Sequence, residues 1–156
     1  VNTKLLRIAE RARKDSKAKF TSLFHLMNEE LMRDCFRRLS ASSAAGVDEV
    51  TKAGYAENLE ANLRSLEERL QKMAYRPQPV RRVYIPKPGT GKLRPIGIPA
   101  LEDKLVQAGM VRILESIYEQ DFLDDSYGFR PGRSCHDALR ALGKTIEFGT
   151  VNYVVE

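Results

Sequence analysis

The chain has 156 residues, 42% of them hydrophobic, enough for one core and too few for two independent domains of ordinary size. Its net charge of +5 favours a polyanionic partner, and its two cysteines, Cys35 and Cys135, form neither a CxxC pair nor a zinc-finger spacing. No apolar run reaches membrane-spanning length and the first residues lack a signal-peptide pattern, so a cytoplasmic protein is expected.

Residues 3–18 are strongly basic and read as a helix fraying after Arg13, with Leu5, Leu6, Ile8 and Ala9 as its apolar face. Asn28 is placed to cap a second helix, in which Leu31, Met32, Cys35, Phe36 and Leu39 share one side. The stretch "SASSAAGVDEVT", residues 40–51, breaks that periodicity with small and hydrogen-bonding residues and reads as a loop. Ala41 to Val50 offers little apolar surface, so this loop is expected to be mobile. Tyr55, Leu59, Leu63, Leu66, Leu70 and Met73 then recur at helical spacing, which predicts one long amphipathic helix.

After Pro77 and Pro79 the pattern becomes that of strands. Val83 and Ile85 are expected in the core, with Arg82 and Tyr84 on the other face; "KPGTGK" can reverse the chain, and "LRPIGIP" returns as the second arm of a hairpin. Arg76 to Pro99 carries six basic side chains and no acid, whereas residues 101–125 hold seven acids against two bases, so the positive field is a local patch. Within it, "PGTGK" is not a phosphate-binding P-loop: Pro86 stands where the first glycine belongs, Leu93 replaces the hydroxyl residue, and Arg94-Pro95 opposes an immediate helix. Lys87 and Arg94 nevertheless straddle the turn, and two cations on facing arms can flank a triphosphate by side chains alone; an ordinary solvated hairpin is the alternative.

Leu105, Val106, Met110, Ile113, Leu114 and Ile117 predict another helix over residues 101–119, with Gly109 at a close contact. The loop "DDSYGFRPGRS" follows, in which Arg130 and Arg133 are expected to be exposed and Tyr127 and Phe129 either stack on a base or pack beneath the loop. Tyr84 and Tyr118 read as core or rim residues. Ser134 and Asp137 form a capping-box start for a last helix ending near Gly149, and "VNYVVE" reads as the start of a strand. Cys135 and His136 are neighbours on that helix, but adjacent side chains diverge by about 100°, so no hydrogen bond between them is expected.

The run "YRPQPVRRVYIPKPGTGKLRPIGIPALEDKLVQAGMVRILESIYEQDF", followed by "SYGFRPGRSCHDAL", resembles the first two blocks of reverse transcriptases encoded by bacterial group II introns, also called maturases. "AGVDEVTKAGYAENLEANLRSLEERL" is similar to that family's N-terminal extension block, with Glu49 in place of its usual glycine.

The resemblance implies an α+β chain forming the fingers of a right-hand RNA-directed DNA polymerase: residues 1–74 an N-terminal helical extension with a lid-type loop, residues 75–156 the hairpin, helices and first palm strand. It assigns Lys87 and Arg94 to the triphosphate of the incoming deoxynucleotide. Ser42, Ser43, Gly46, Arg81, Arg82, Lys92, Tyr127, Phe129, Arg130 and Arg133 are assigned to template or other RNA. Mg²⁺ would be held in the full-length enzyme by palm aspartates absent from this chain, so no residue here is expected to be catalytic or to bind metal, and the chain alone is expected to be inactive. The implied partners are intron RNA, a template-primer and dNTP, with no membrane; self-association through the fingers or an unpaired sheet edge is a further expectation. Two alternatives stay open: a non-catalytic basic RNA-binding module that assists splicing, and a related bacterial reverse transcriptase of the defence or diversity-generating kind.

Overall fold

The computed structural model describes residues 2–153, and the strand expected at the C-terminus is only partly among them. Residues 151–153 have no regular structure, and 154–156 lie outside the described residues. The chain runs α1 (Asn2–Lys14), a 3₁₀ turn (Phe24–Leu26), α2 (Glu29–Arg38), α3 (Lys52–Ala56), α4 (Leu59–Gln71), β1 (Arg81–Pro86), β2 (Leu93–Ile98), α5 (Leu101–Tyr118) and α6 (Cys135–Phe148).

The core is helical. α5 packs on α1 and α2, and α2 on α4; Leu31, Met32, Leu63, Leu66 and Leu105 are fully buried where they meet, each contributing about 1.5–3 kcal/mol by leaving water. Asn28 caps α2 as the sequence predicts, accepting from the Leu31 N–H at 3.0 Å. On α1 the predicted face is shifted: Leu6 is exposed and Ala12 is buried in its place.

The single helix expected over residues 55–73 is broken. Thr51 caps the short α3, the chain kinks at Asn58, and the Asn62 side-chain amide donates to the Tyr55 carbonyl across the break. This lets Tyr55 turn into the core beside Phe36 while Leu63 and Leu66 face α2. Met73, expected on the apolar face, is instead exposed at φ 54°, just beyond α4. Its N–H donates to Leu70 and that of Ala74 to Arg69, the Schellman pattern that ends helices.

α5 keeps Gly109 buried against the flexible ends of Met27 and Met32. Met110 and Leu114, expected in the core, are exposed on the opposite side, because only one face of α5 meets the other helices. α6 buries no residue at all, although its capping box of Ser134 and Asp137 is present as expected.

Asp103 positions the hairpin. It is buried on α5, accepts from the Tyr75 hydroxyl and from the Gln78 backbone N–H at 3.1 Å, and so fixes the stretch leading into β1. Burial and the Asp103 carboxylate both push the Tyr75 phenol up.

Candidate nucleic-acid interface

β1 and β2 pair antiparallel in the register Arg81↔Ile98 through Pro86↔Leu93, and the Lys87 N–H extends the ladder by donating to the Lys92 carbonyl at 2.8 Å. Gly89 and Gly91 take positive φ in the turn, as its sequence requires. Side chains alternate along each arm and match across the ladder, so Arg81, Val83, Ile85 and Lys87 share one face with Lys92, Arg94, Ile96 and Ile98. The hairpin projects from the body. Val83 is only half-buried and Ile85 is exposed, correcting the expectation of core residues, because no element covers the outer part of this face. Tyr84 is likewise exposed, on the other face opposite Pro95.

Lys87 and Lys92 face each other, with Arg94 on the diagonal about 7 Å from Lys87. Like charges at such separations repel. Among the described residues no carboxylate or other side-chain hydrogen bond engages Lys87, Lys92, Arg94 or Arg82. An anion placed on this face would remove the repulsion, which nothing in the fold does.

Elsewhere the arginines are engaged. Arg69 forks onto both Glu102 oxygens at 2.8 Å, and Arg112 pairs with Asp34, whose carboxyl it holds below the usual carboxylate range. The expectation that the GFRPGR loop exposes both its arginines fails for Arg130, whose side chain is only 7% exposed. Arg130 pairs with Glu119 at 3.1 Å, donates to the Leu123 and Ser126 carbonyls at 2.8 and 2.9 Å, and lies over the Phe122 ring. It holds the loop together from inside. Arg133 is partly exposed, paired with Asp124 at 3.1 Å and stacked over the half-buried Tyr127. Phe129, by contrast, is fully exposed at φ 57°, a backbone conformation unfavourable for a bulky residue. Tyr118 is half-exposed against Phe122.

The segment 41–50, expected from its composition to be mobile, is held at several points. The Ser42 hydroxyl meets Ser40 at 2.9 Å, the Ser43 hydroxyl accepts from Lys104 at 2.9 Å, and the Ala45 carbonyl accepts from Arg81. Gly46 lies on the backbone of Pro99 and Ala100 so closely that a Cβ there would fall 2.5 Å from the Ala100 Cα. Lys104 and Asp103 gave no signal in the sequence, because what they hold is backbone or a distant side chain.

The family model described as reverse transcriptase (RNA-dependent DNA polymerase) matches residues 85–153, which include Lys87, Arg94 and the Tyr127–Arg133 loop. Group II intron-encoded protein LtrA of Lactococcus lactis subsp. cremoris is 38% identical over 97% of this chain. The reverse transcriptase match and the identity to LtrA over nearly the whole chain support a reverse transcriptase or maturase of the group II intron type. Protein YkfC of Escherichia coli is 41% identical over 87% of the chain, and Nuclear intron maturase 2, mitochondrial, of Arabidopsis thaliana is 46% identical over 26% of it. The chain spans 25% of the length of LtrA and 36% of YkfC.

Reverse transcriptases generally use divalent metals; among the described residues no group of three or more His, Cys, Asp or Glu is placed to hold one. Nor is any described helix long and apolar enough to cross a membrane. Cys135 and His136 do approach, Sγ to Nδ1 at 3.7 Å, contrary to the expectation from helical geometry; both sit in the exposed first turn of α6, where side chains are free to lean together. Cys35 is buried, which pushes its thiol up. A second basic surface lies between α1 and the segment that follows it, where Lys4, Arg7, Arg11 and Lys19 line a cavity of about 420 Å³ with Phe20 and Leu23.

Proposed function

We propose that this chain forms the fingers of an RNA-directed DNA polymerase of the group II intron type, with residues 1–74 as its N-terminal extension, and binds template RNA and the incoming dNTP. The observation that carries this is the hairpin tip: three cations on one face, mutually repelling, with no carboxylate partner among the described residues. A triphosphate is a dense, multiply charged acceptor that Lys87 can meet as a point charge and Arg94 as a planar fork. Phe129 offers an exposed ring to a template base, and strain at a non-glycine φ is of the kind that accompanies function. Lys92 and Arg82 contribute field along the backbone of the nucleic acid. The test is primer extension on an RNA template by the full-length protein, with Mg²⁺ and dNTP supplied: DNA synthesis is expected, and its absence in a folded, RNA-binding protein would contradict the polymerase reading.

One observation favours a second role beside it. The α1 cavity is lined by four cations and no acid, with Phe20 beneath Arg11, and lies outside the segment that matches the polymerase family model. Such a surface suits a structured RNA, in keeping with a splicing function. RNA affinity here is expected to fall with salt at a slope of roughly 0.7–0.9 per phosphate contact, and charge removal at Arg7 and Lys19 should reduce that slope without changing nucleotide use.

A further inference from the structure

We infer that Lys104 and Arg81 are positioning residues that hold the 41–50 loop in one place relative to the hairpin and α5, so that the template-side loop is a fixed part of the site. The inference rests on the polymerase reading for its functional consequence and on geometry for the anchoring. Three consecutive loop residues take up cations from two different elements. The Ala45 carbonyl accepts both Nε and Nη2 of Arg81, at 3.0 and 2.7 Å, while Lys104 on α5 donates to the Ser43 hydroxyl at 2.9 Å and to the Ala44 carbonyl. The next residue, Gly46, is seated on the backbone where β2 hands over to α5, with no room for a side chain.

Arg81 is the first residue of β1 and shares its hairpin face with Lys87. Lys87 follows six positions later along the arm, so the tether lies about 20 Å from the tip. Loop, strand and helix are thereby joined at one junction, and any displacement of the hairpin carries the loop with it. Charge-assisted bonds to carbonyls are stronger than neutral ones, and both cations are engaged without any carboxylate, so this junction needs no nucleic acid to form. Charge in the sequence places Arg81 with the RNA-facing basic residues; its geometry favours the loop carbonyl over a phosphate.

Lys104→Met in the full-length protein tests this, with Lys104→Arg as the conservative variant. The Ser43, Glu49 and Val50 amides, which are bonded within the loop, should exchange with deuterium about tenfold faster without RNA present in Lys104→Met, and near the wild-type rate in Lys104→Arg. The slope of RNA affinity against salt should stay the same, while the number of nucleotides added per binding event falls severalfold and rises again in Lys104→Arg. A phosphate-binding Lys104 would give the opposite pair, unchanged exchange with a slope reduced by about 0.7–0.9, and would overturn the inference. Faster exchange with unaltered extension length would overturn the positioning role. If the wild type makes no DNA, the polymerase reading fails, and the exchange arm still decides whether Lys104 anchors the loop.

Discussion

Substituting alanine for glycine at three positions should give three different signs, because the same methyl group meets three different surroundings. At Gly46 the added Cβ would lie 2.5 Å from Ala100 Cα, 2.7 Å from its nitrogen and 2.9 Å from Pro99 carbonyl carbon, where ordinary contact begins near 3.4 Å. All three neighbours are backbone, and Ala100 is 1% exposed, so the clash is relieved only by moving the loop off α5 by nearly an ångström. Overpacking of this kind costs about 1–3 kcal/mol, which for a chain of this size lowers Tm by about 2–4 °C per kcal/mol. At Gly54, in α3, the nearest atom is Thr51 Oγ1 at 3.4 Å, and the helix gains about 0.5–1 kcal/mol from the loss of glycine's backbone freedom. At Gly109 the contacts are 3.0 and 3.2 Å, but to the ends of Met32 and Met27, which can swing away; the helix gain and the packing loss should cancel to within about 0.5 kcal/mol. Thermal and urea unfolding followed by circular dichroism should therefore rank Gly54→Ala above Gly109→Ala above Gly46→Ala. A Gly46→Ala protein as stable as the wild type would show that the loop is not seated on α5, and the tether would lose its steric half.

Arg130→Met should destabilise the protein by about 2–4 kcal/mol in urea unfolding, since it strips the partner from Glu119 and two carbonyls; unaltered stability with weakened RNA binding would return Arg130 to the interface. Asp34→Asn should cost about 1–2 kcal/mol at neutral pH. Arg112 holds the Asp34 carboxyl below its usual range, with Arg38 adding to the effect. The stabilisation is therefore complete above the ordinary carboxylate pKa of about 3.9 and fades as pH falls through the lower folded value, so the two proteins should converge only in acid. A difference in stability that stays constant from pH 7 to 2 would rule out the ion pair as its source.

The helices and the hairpin were legible because their information is local. Asn28, the Ser134 and Asp137 capping box and the two glycines of the turn act on residues within three or four positions. What the pattern could not convey is which apolar face meets a partner. Val83, Ile85, Met110 and Leu114 have the spacing of core residues, and the described chain leaves them partly or wholly uncovered. The break at Asn58 was hidden because Tyr55 and Leu59 fall on the same helical repeat whether or not the helix is continuous. The cations of the candidate site divide in the same way: Lys87 and Arg94 are marked by charge, by their place across the turn and by the family resemblance, but only the fold reveals that Arg130 is held by Glu119 and Arg81 by a backbone carbonyl.

The most direct test of the proposed nucleotide site is the Michaelis constant for dNTP measured beside the dissociation constant for RNA, in full-length protein carrying Lys87→Ala or Arg94→Ala. Loss of one charge-assisted contact to the triphosphate should raise the constant for dNTP about 10- to 100-fold and leave RNA affinity within about twofold, with Arg94→Lys recovering only part of the loss because it lacks the guanidinium fork. Equal losses in dNTP use and RNA affinity would contradict the account, and would make the hairpin tip one more stretch of general positive surface.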